Sequence, residues 1–327
     1  MQISIAASAG LPAVALVYWL SRSSVFERPG LLVWLAFGLG ALSVNASGLQ
    51  GVFVDMLPFQ PEEQLRLFIP IYVFLIAAPI EEIAKLTAVL VILWSFPLHD
   101  RPLALVGCGL AVGIGFAALE NFSFGSRGDF NDALSRLDGF FLHAAFTGIA
   151  AIFLAFSKRM PEHRWRYWLL TIGVPVIIHG ANNLLLSARK WFSAFDPSDP
   201  LVDKLSEVTL GLYGLAIYGL AIGTFVVLFA QLKRKVMGDR EPQAWKVTNV
   251  FGTFLTTIGV IGVAKGFLIL LLALGEPLLS NGLEGLLFLL IGSSIILVSF
   301  AMLKRGWRRL AGDAVLSPRA LQRSETS

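Results

Sequence analysis

Glu81 and Glu82 stand side by side, with Lys85 after them, in the middle of the apolar run Ala78-Pro79-Ile80-Glu81-Glu82-Ile83-Ala84-Lys85. Three more apolar runs carry polar groups: Phe116-Ala117-Ala118-Leu119-Glu120-Asn121, His143 with Thr147-Gly148 after it, and His179-Gly180-Ala181-Asn182-Asn183. An ionised side chain at the centre of a bilayer costs from about 2.5 to more than 10 kcal/mol, so each such position points to function. Two of the four histidines of the chain fall in this set. Carboxylates, imidazoles and an amide brought together can take a proton from water, return one to a leaving group and stabilise an oxyanion, so hydrolysis is within reach of these residue types.

The set can be used in two ways. Without a metal, Glu81 is the base, Glu82 and Lys85 form a supporting ion pair, Asn183 and His179 stabilise the oxyanion, and His143 orients water with Glu120. Lys85 is three residues from Glu82 and four from Glu81, and both spacings put the partners on one helical face. Which of the two glutamates is the base therefore stays open. With a metal, His143, His179 and Glu120 form a His₂Glu set of the kind found at open catalytic zinc sites. One Zn²⁺ there would lower the pKa of its water to about 7 and leave a second glutamate as base. No His-Glu-x-x-His occurs, so the ligands must come from separate helices.

Those helices are read from the apolar runs. Hydrophobic residues make up 56% of the 327-residue chain and charged residues 15%. A soluble domain carries about a quarter charged residues, so this chain needs a solvent other than water. About 20 apolar residues cross a bilayer core of about 30 Å. Nine such runs are predicted, at 3–20, 30–54, 69–96, 103–124, 139–157, 167–187, 208–232, 247–274 and 282–303. The charged residues that follow the first run, Arg22 and Arg28, mark it as a retained helix with an exported N-terminus. With the N-terminus outside and the C-terminus inside, 18 of the 26 Lys and Arg fall in inner segments. That asymmetry holds to the end of the chain. The fold expected is an all-α, polytopic transmembrane bundle of about nine helices. Residues 1–303 form one membrane domain, with core helices over 69–187 and accessory helices over 208–303, and 304–327 form a basic cytoplasmic tail. The net charge of +4 is an inward-facing basic surface suited to anionic lipid headgroups, and gives no sign of a nucleic-acid partner. The lone cysteine, Cys108, excludes an internal disulfide and a cysteine metal cage.

Depth tests whether the polar groups can meet. At 1.5 Å per residue, Glu81 lies about 18 Å below the outer end of its helix and His179 about 12 Å below its own, with Glu120 and His143 about 6 Å below theirs. Helices running in opposite directions thus bring them to similar heights, as one polar site opening outward requires. Adjacent Glu81 and Glu82 point about 100° apart, so one can face the site while the other holds Lys85. Pro79 removes a backbone hydrogen bond just before them and is expected to open the helix there.

Taken together, Glu-Glu-x-x-Lys, Phe-x-x-x-Glu-Asn, an intramembrane His followed by Thr-Gly, and His-x-x-x-Asn resemble the PrsW-type intramembrane proteases. That family is similar to the type II CAAX prenyl endopeptidase superfamily. The resemblance covers about residues 69–187. It implies a peptidase of a prokaryotic cytoplasmic membrane that cuts single-pass membrane proteins near the outer face. Glu81, Glu82, Glu120, His143, His179 and Asn183 are its implied site residues, and the superfamily resemblance favours the metal-free version. The chain departs from the wider superfamily in two places. Its paired glutamates lack the Arg that usually follows one residue later, and its second motif ends in Glu instead of His.

Plainer roles compete at each position. Glu81, Glu82 and Lys85 could brace one helix as an ion pair, Glu120 and His143 could be interfacial, and His179 with Asn183 could join helices by hydrogen bonds. At the level of function, intramembrane Glu, Lys and His could instead relay protons in a transporter or ion pathway. A non-catalytic scaffold with a protease-like core is a third class. A transporter would favour repeated halves, whereas the runs after residue 208 lack any counterpart of the polar set. Gly109-x-x-x-Gly113, with Gly107 and Gly115, reads as close helix packing, and Trp94, Trp165, Tyr167 and Trp168 as interface anchors. His99 and His163 read as solvent-exposed, and Lys265 as snorkelling or paired with Glu276 or Glu284.

Overall fold

The computed structural model describes residues 2–58, 65–98, 100–125, 139–187 and 200–237. Among the described residues every regular element is helical and there is no strand. The helices are α1 (Gln2–Arg22), α2 (Leu31–Ser43), α3 (Leu49–Asp55), α4 (Leu65–Ile71), α5 (Ala78–Ser95), α6 (Pro102–Gly125), α7 (Gly139–Arg159), α8 (Arg164–Leu186) and α9 (Pro200–Met237). A 3₁₀ stretch, Val44–Gly48, joins α2 to α3, and a π-helical turn, Tyr72–Ala77, joins α4 to α5. Among the described residues, five segments are long and apolar enough to cross a membrane: Leu31–Asp55, Leu67–Ser95, Pro102–Ser123, Gly139–Arg159 and Ile217–Val236. The expected runs at 3–20 and 167–187 are occupied by α1 and α8. The runs at 247–274 and 282–303, the tail, Lys265 and His99 lie outside the described residues.

Two boundaries differ from expectation. α9 starts at Pro200, eight residues before the apolar run, and ends at Met237, five residues after it. Apolarity marks only part of this helix: Asp203, Lys204 and Glu207 precede the apolar run and keep helical backbone geometry. Proline suits the first helical position because the N–H it lacks would be unsatisfied there anyway. The break expected at Pro79 lies one turn earlier. Pro79 sits within the first turn of α5, after the π turn, where its missing N–H interrupts the ladder leading back into Tyr72–Ala77.

α6 and α7 form the centre of the bundle and are mostly buried within it. Their closeness depends on glycine. A Cβ at Gly113 would stand 2.2 Å from the carbonyl oxygen of His143, and one at Gly109 would stand 2.6 Å from the Cβ of Ala151. On the other side of α6, a Cβ at Gly115 would lie 2.0 Å from the carbonyl oxygen of Phe37 in α2. Backbone thus rests on backbone, the packing expected where lipid supplies no hydrophobic drive between helices. Against this centre, α8 packs on α7 and α5, with Gly180 under the ring of Phe74 from the π turn. The four helices that carry the polar motifs therefore converge. Trp94, Trp165 and His163 are exposed. Tyr167 is different: its ring stacks on Phe156 with centroids 5.5 Å apart, and its hydroxyl donates to Met160 Sδ at 3.2 Å. It joins α7 to α8.

Candidate active site

Six of the seven predicted site residues form one connected cluster. Lys85, fully buried on α5, donates to Glu82 Oε1 at 2.5 Å. The same oxygen accepts from His179 Nδ1 of α8 at 2.7 Å. Lys85 Nζ also lies 2.9 Å from Nδ1 of His143 on α7 and 4.4 Å above the centroid of the Phe116 ring. Nε2 of His143 is 3.0 Å from Glu120 Oε2 of α6. Nε2 of His179 is 3.6 Å from Glu81 Oε2. The two imidazoles meet edge to face with centroids 5.2 Å apart. Asn183 lies one turn beyond His179, half-buried and outside the hydrogen-bonded cluster.

Glu82, and not Glu81, takes Lys85, because Glu81 is held from another helix. Gln50 of α3 donates from Nε2 to Glu81 Oε1 at 3.0 Å, and Tyr72 donates its hydroxyl to Gln50 Oε1 at 2.6 Å. The other oxygen, Glu81 Oε2, is buried and has no hydrogen-bond partner. Neither Gln50 nor Tyr72 stood out among the motifs. Gln50 is one amide in the apolar stretch Gly48-Leu49-Gln50-Gly51-Val52-Phe53, a signal that was present but small. Tyr72 offered less: nine residues before Glu81 is 900° at 100° per residue, the opposite face of an α-helix.

Partner chemistry assigns the protons, which no heavy-atom arrangement displays directly. Ionised Glu82 can only accept, so His179 carries its proton on Nδ1 and presents a lone pair at Nε2. An ammonium can only donate, so His143 accepts at Nδ1 from Lys85 and carries its proton on Nε2, toward Glu120. Thr147 Oγ1 donates to the carbonyl oxygen of His143 at 3.0 Å and fixes that turn of α7.

The cluster suits a metal. Glu81, His143 and His179 each offer a ligand atom, all within 4.8 Å of one another. Glu81 Oε2 is an orphaned buried acceptor, and Glu82 backs His179 as carboxylates back zinc-bound histidines. The carboxylate completing this trio is Glu81, where the sequence had suggested Glu120. Gln50 occupies Oε1 of Glu81 and leaves Oε2 to the imidazoles, whereas Glu120 meets His143. One adjustment is needed: His143 can ligate through Nε2 only once that proton has left, with Nδ1 then taking a proton from Lys85 across the 2.9 Å contact.

Residues 28–202, more than half of the 327-residue chain, match the family described as PrsW family intramembrane metalloprotease. That span contains the whole cluster. No curated protein and no solved structure matches the chain.

Proposed function

The chain belongs to the PrsW family of intramembrane metalloproteases, and on that premise we propose that Glu81, His143 and His179 hold one zinc ion while Glu120 moves the protons of peptide-bond hydrolysis. The protein is an integral membrane peptidase. One observation carries the finer reading: Glu81 Oε2 is buried without a partner, beside the Nε2 lone pair of His179. Leaving a buried carboxylate oxygen unsatisfied costs about 1–3 kcal/mol or more, a cost that a cation would remove.

When bound, zinc supplies a Lewis acid for the scissile carbonyl and lowers the pKa of water to about 7. The chain's own residues do the rest. Glu82 keeps the proton of His179 on Nδ1 and so keeps Nε2 free. His143 gives up its Nε2 proton to solvent and takes one at Nδ1 from Lys85, which as a neutral amine accepts from Nδ1–H and still donates to Glu82. Glu120 is then free to accept a proton from water and return it to the leaving amine. Its side chain is 20% exposed, against 9% or less for the other five, so it is the least enclosed member of the cluster. Asn183, on the same face of α8 as His179, is the amide available to the developing oxyanion.

A metal-free mechanism is supported by a different contact, the 2.9 Å approach of Lys85 Nζ to His143 Nδ1. In it Glu81 Oε2 takes the proton of water, and the Nε2–H of His143, held by Glu120, orients that water. Metal analysis of purified protein separates the two. The zinc reading expects about one metal per chain, loss of metal and activity together on chelation, and recovery of both with zinc. Substoichiometric metal with chelator-insensitive cleavage would transfer the assignment to the metal-free mechanism.

The substrates are single-pass membrane proteins cut near the outer face, in the cytoplasmic membrane of a prokaryote, with the N-terminus outside. The bias of Lys and Arg toward alternate segments supports this orientation. A cysteine at exposed position 162 should then label only after permeabilisation. Labelling from outside would invert the site.

A further inference from the structure

We propose that Gln50 and Tyr72 are positioning residues for Glu81, forming a directed hydrogen-bond relay that decides which carboxylate oxygen reacts; this rests on the reading of Glu81 as a member of the reacting site. The direction follows from donors and acceptors. The tyrosine hydroxyl donates to Gln50 Oε1 at 2.6 Å, which leaves the amide nitrogen to donate to Glu81 Oε1 at 3.0 Å. With Glu81 ionised, a flipped amide would set its carbonyl oxygen against the carboxylate, so that charge state permits one orientation. Oε1 is committed as an acceptor, and Oε2 is the oxygen left for water or metal. The relay also excludes an alternative pairing. At i, i+4 a free Glu81 could take Lys85 from Glu82 and His143. Gln50 holds it away.

Two departures from α-helical winding serve the relay. Val44–Gly48 winds as a 3₁₀ helix just before Gln50. At about 120° per residue in place of 100°, its five residues advance α3 by about 100°. Tyr72–Ala77 winds as a π helix, in which one extra residue in the turn retards the chain by about 100°. Tyr72 then stands about 80° from Glu81, where unbroken α-helix would place it at 180°. Irregular winding on both sides of one hydrogen-bond chain is costly, and π turns gather at functional sites.

The test uses purified full-length protein and a single-pass membrane reporter that the wild type cuts, with kcat and KM measured separately. Gln50→Leu should lower kcat by about 10- to 100-fold, as for partners that orient a reacting group, with KM unchanged. Tyr72→Phe removes one oxygen and should lower kcat by about 3- to 10-fold. In the Gln50→Leu background, Tyr72→Phe should cost nothing more, because a relay is already broken at its first loss. Gln50→Glu keeps the shape and the acceptor for Tyr72 but loses the donor, so it should fall at least as far as Gln50→Leu. Wild-type kcat in a folded Gln50→Leu or Tyr72→Phe, or additive losses in the double variant, would overturn the proposal. If Gln50→Leu does not fold, Tyr72→Phe decides alone. Glu81→Gln run alongside separates the two levels: if it is active, the reading of the site itself fails. If it is dead while both relay variants keep wild-type kcat, only the relay is wrong.

Discussion

His179 and His143 are the same residue, with ring centroids 5.2 Å apart and both rings buried, yet what stands behind them differs in charge. Behind His179 is the carboxylate of Glu82, and behind His143 the ammonium of Lys85. A carboxylate draws the proton to the rear nitrogen and leaves a lone pair in front; an ammonium drives the proton to the front. In this geometry one half of the site therefore presents an acceptor and the other a donor, and His143 becomes a metal ligand only after a proton transfer that His179 does not need. The lesson is that the residue behind the ring sets the role of a histidine, so two intramembrane histidines need not be two equal ligands.

The comparison can be broken from either side. The largest loss is expected in the acceptor half, where His179→Ala or Glu81→Gln should lower kcat by about 10³-fold or more and strip bound zinc. Full activity in Glu81→Gln would remove that carboxylate from the chemistry. In the donor half, Glu120→Gln should lower kcat by about 10²–10³-fold, the scale of one general base, while zinc is retained. Equal loss of zinc would make Glu120 a ligand and the halves alike. Lys85→Met should destabilise the fold by about 3–5 kcal/mol, because it leaves buried Glu82 short of its cation, and thermal unfolding in detergent would reveal it. An unchanged midpoint would mean that His179 alone neutralises Glu82. The smallest effects concern the walls. Gly113→Ala drives a methyl into the carbonyl of His143 and should cost about 1–3 kcal/mol. Gly180→Ala meets the side chain of Phe74, which can turn, and should cost less, about 1 kcal/mol. A reversed order would show the α8 wall to be the stiffer.

Much of this was legible in the residues themselves. A carboxylate, lysine or histidine in lipid is expensive enough to stand out, and Glu81, Glu82, Lys85, Glu120, His143 and His179 all lie in one cluster. Helical runs were readable for the same reason, since length and apolarity are what a bilayer demands. The pairing of Lys85 was not, because i, i+3 and i, i+4 neighbours are equivalent on an isolated helix and the choice was made by Gln50, 31 residues before Glu81. Tyr72 was hidden by the assumption of constant winding, which puts it on the wrong face. Asn183 shares a face with His179, yet sharing a face did not bring its amide into the cluster. The extra turns of α9 were missed because a helix does not end where its apolar run ends.

The π turn at Tyr72–Ala77 has a consequence for comparing sequences. A π turn is what one inserted residue leaves in an α-helix, so the chain before it and the chain after it are counted in different frames. Aligned on its paired glutamates, a relative without that insertion would be one residue out of step at every earlier position of the helix. Its functional counterpart of Tyr72 would then fall in the column of Val73, eight residues before the first glutamate. A column-by-column search for a tyrosine would pass over it, whereas a search for a hydroxyl eight or nine residues ahead of the pair would find both kinds.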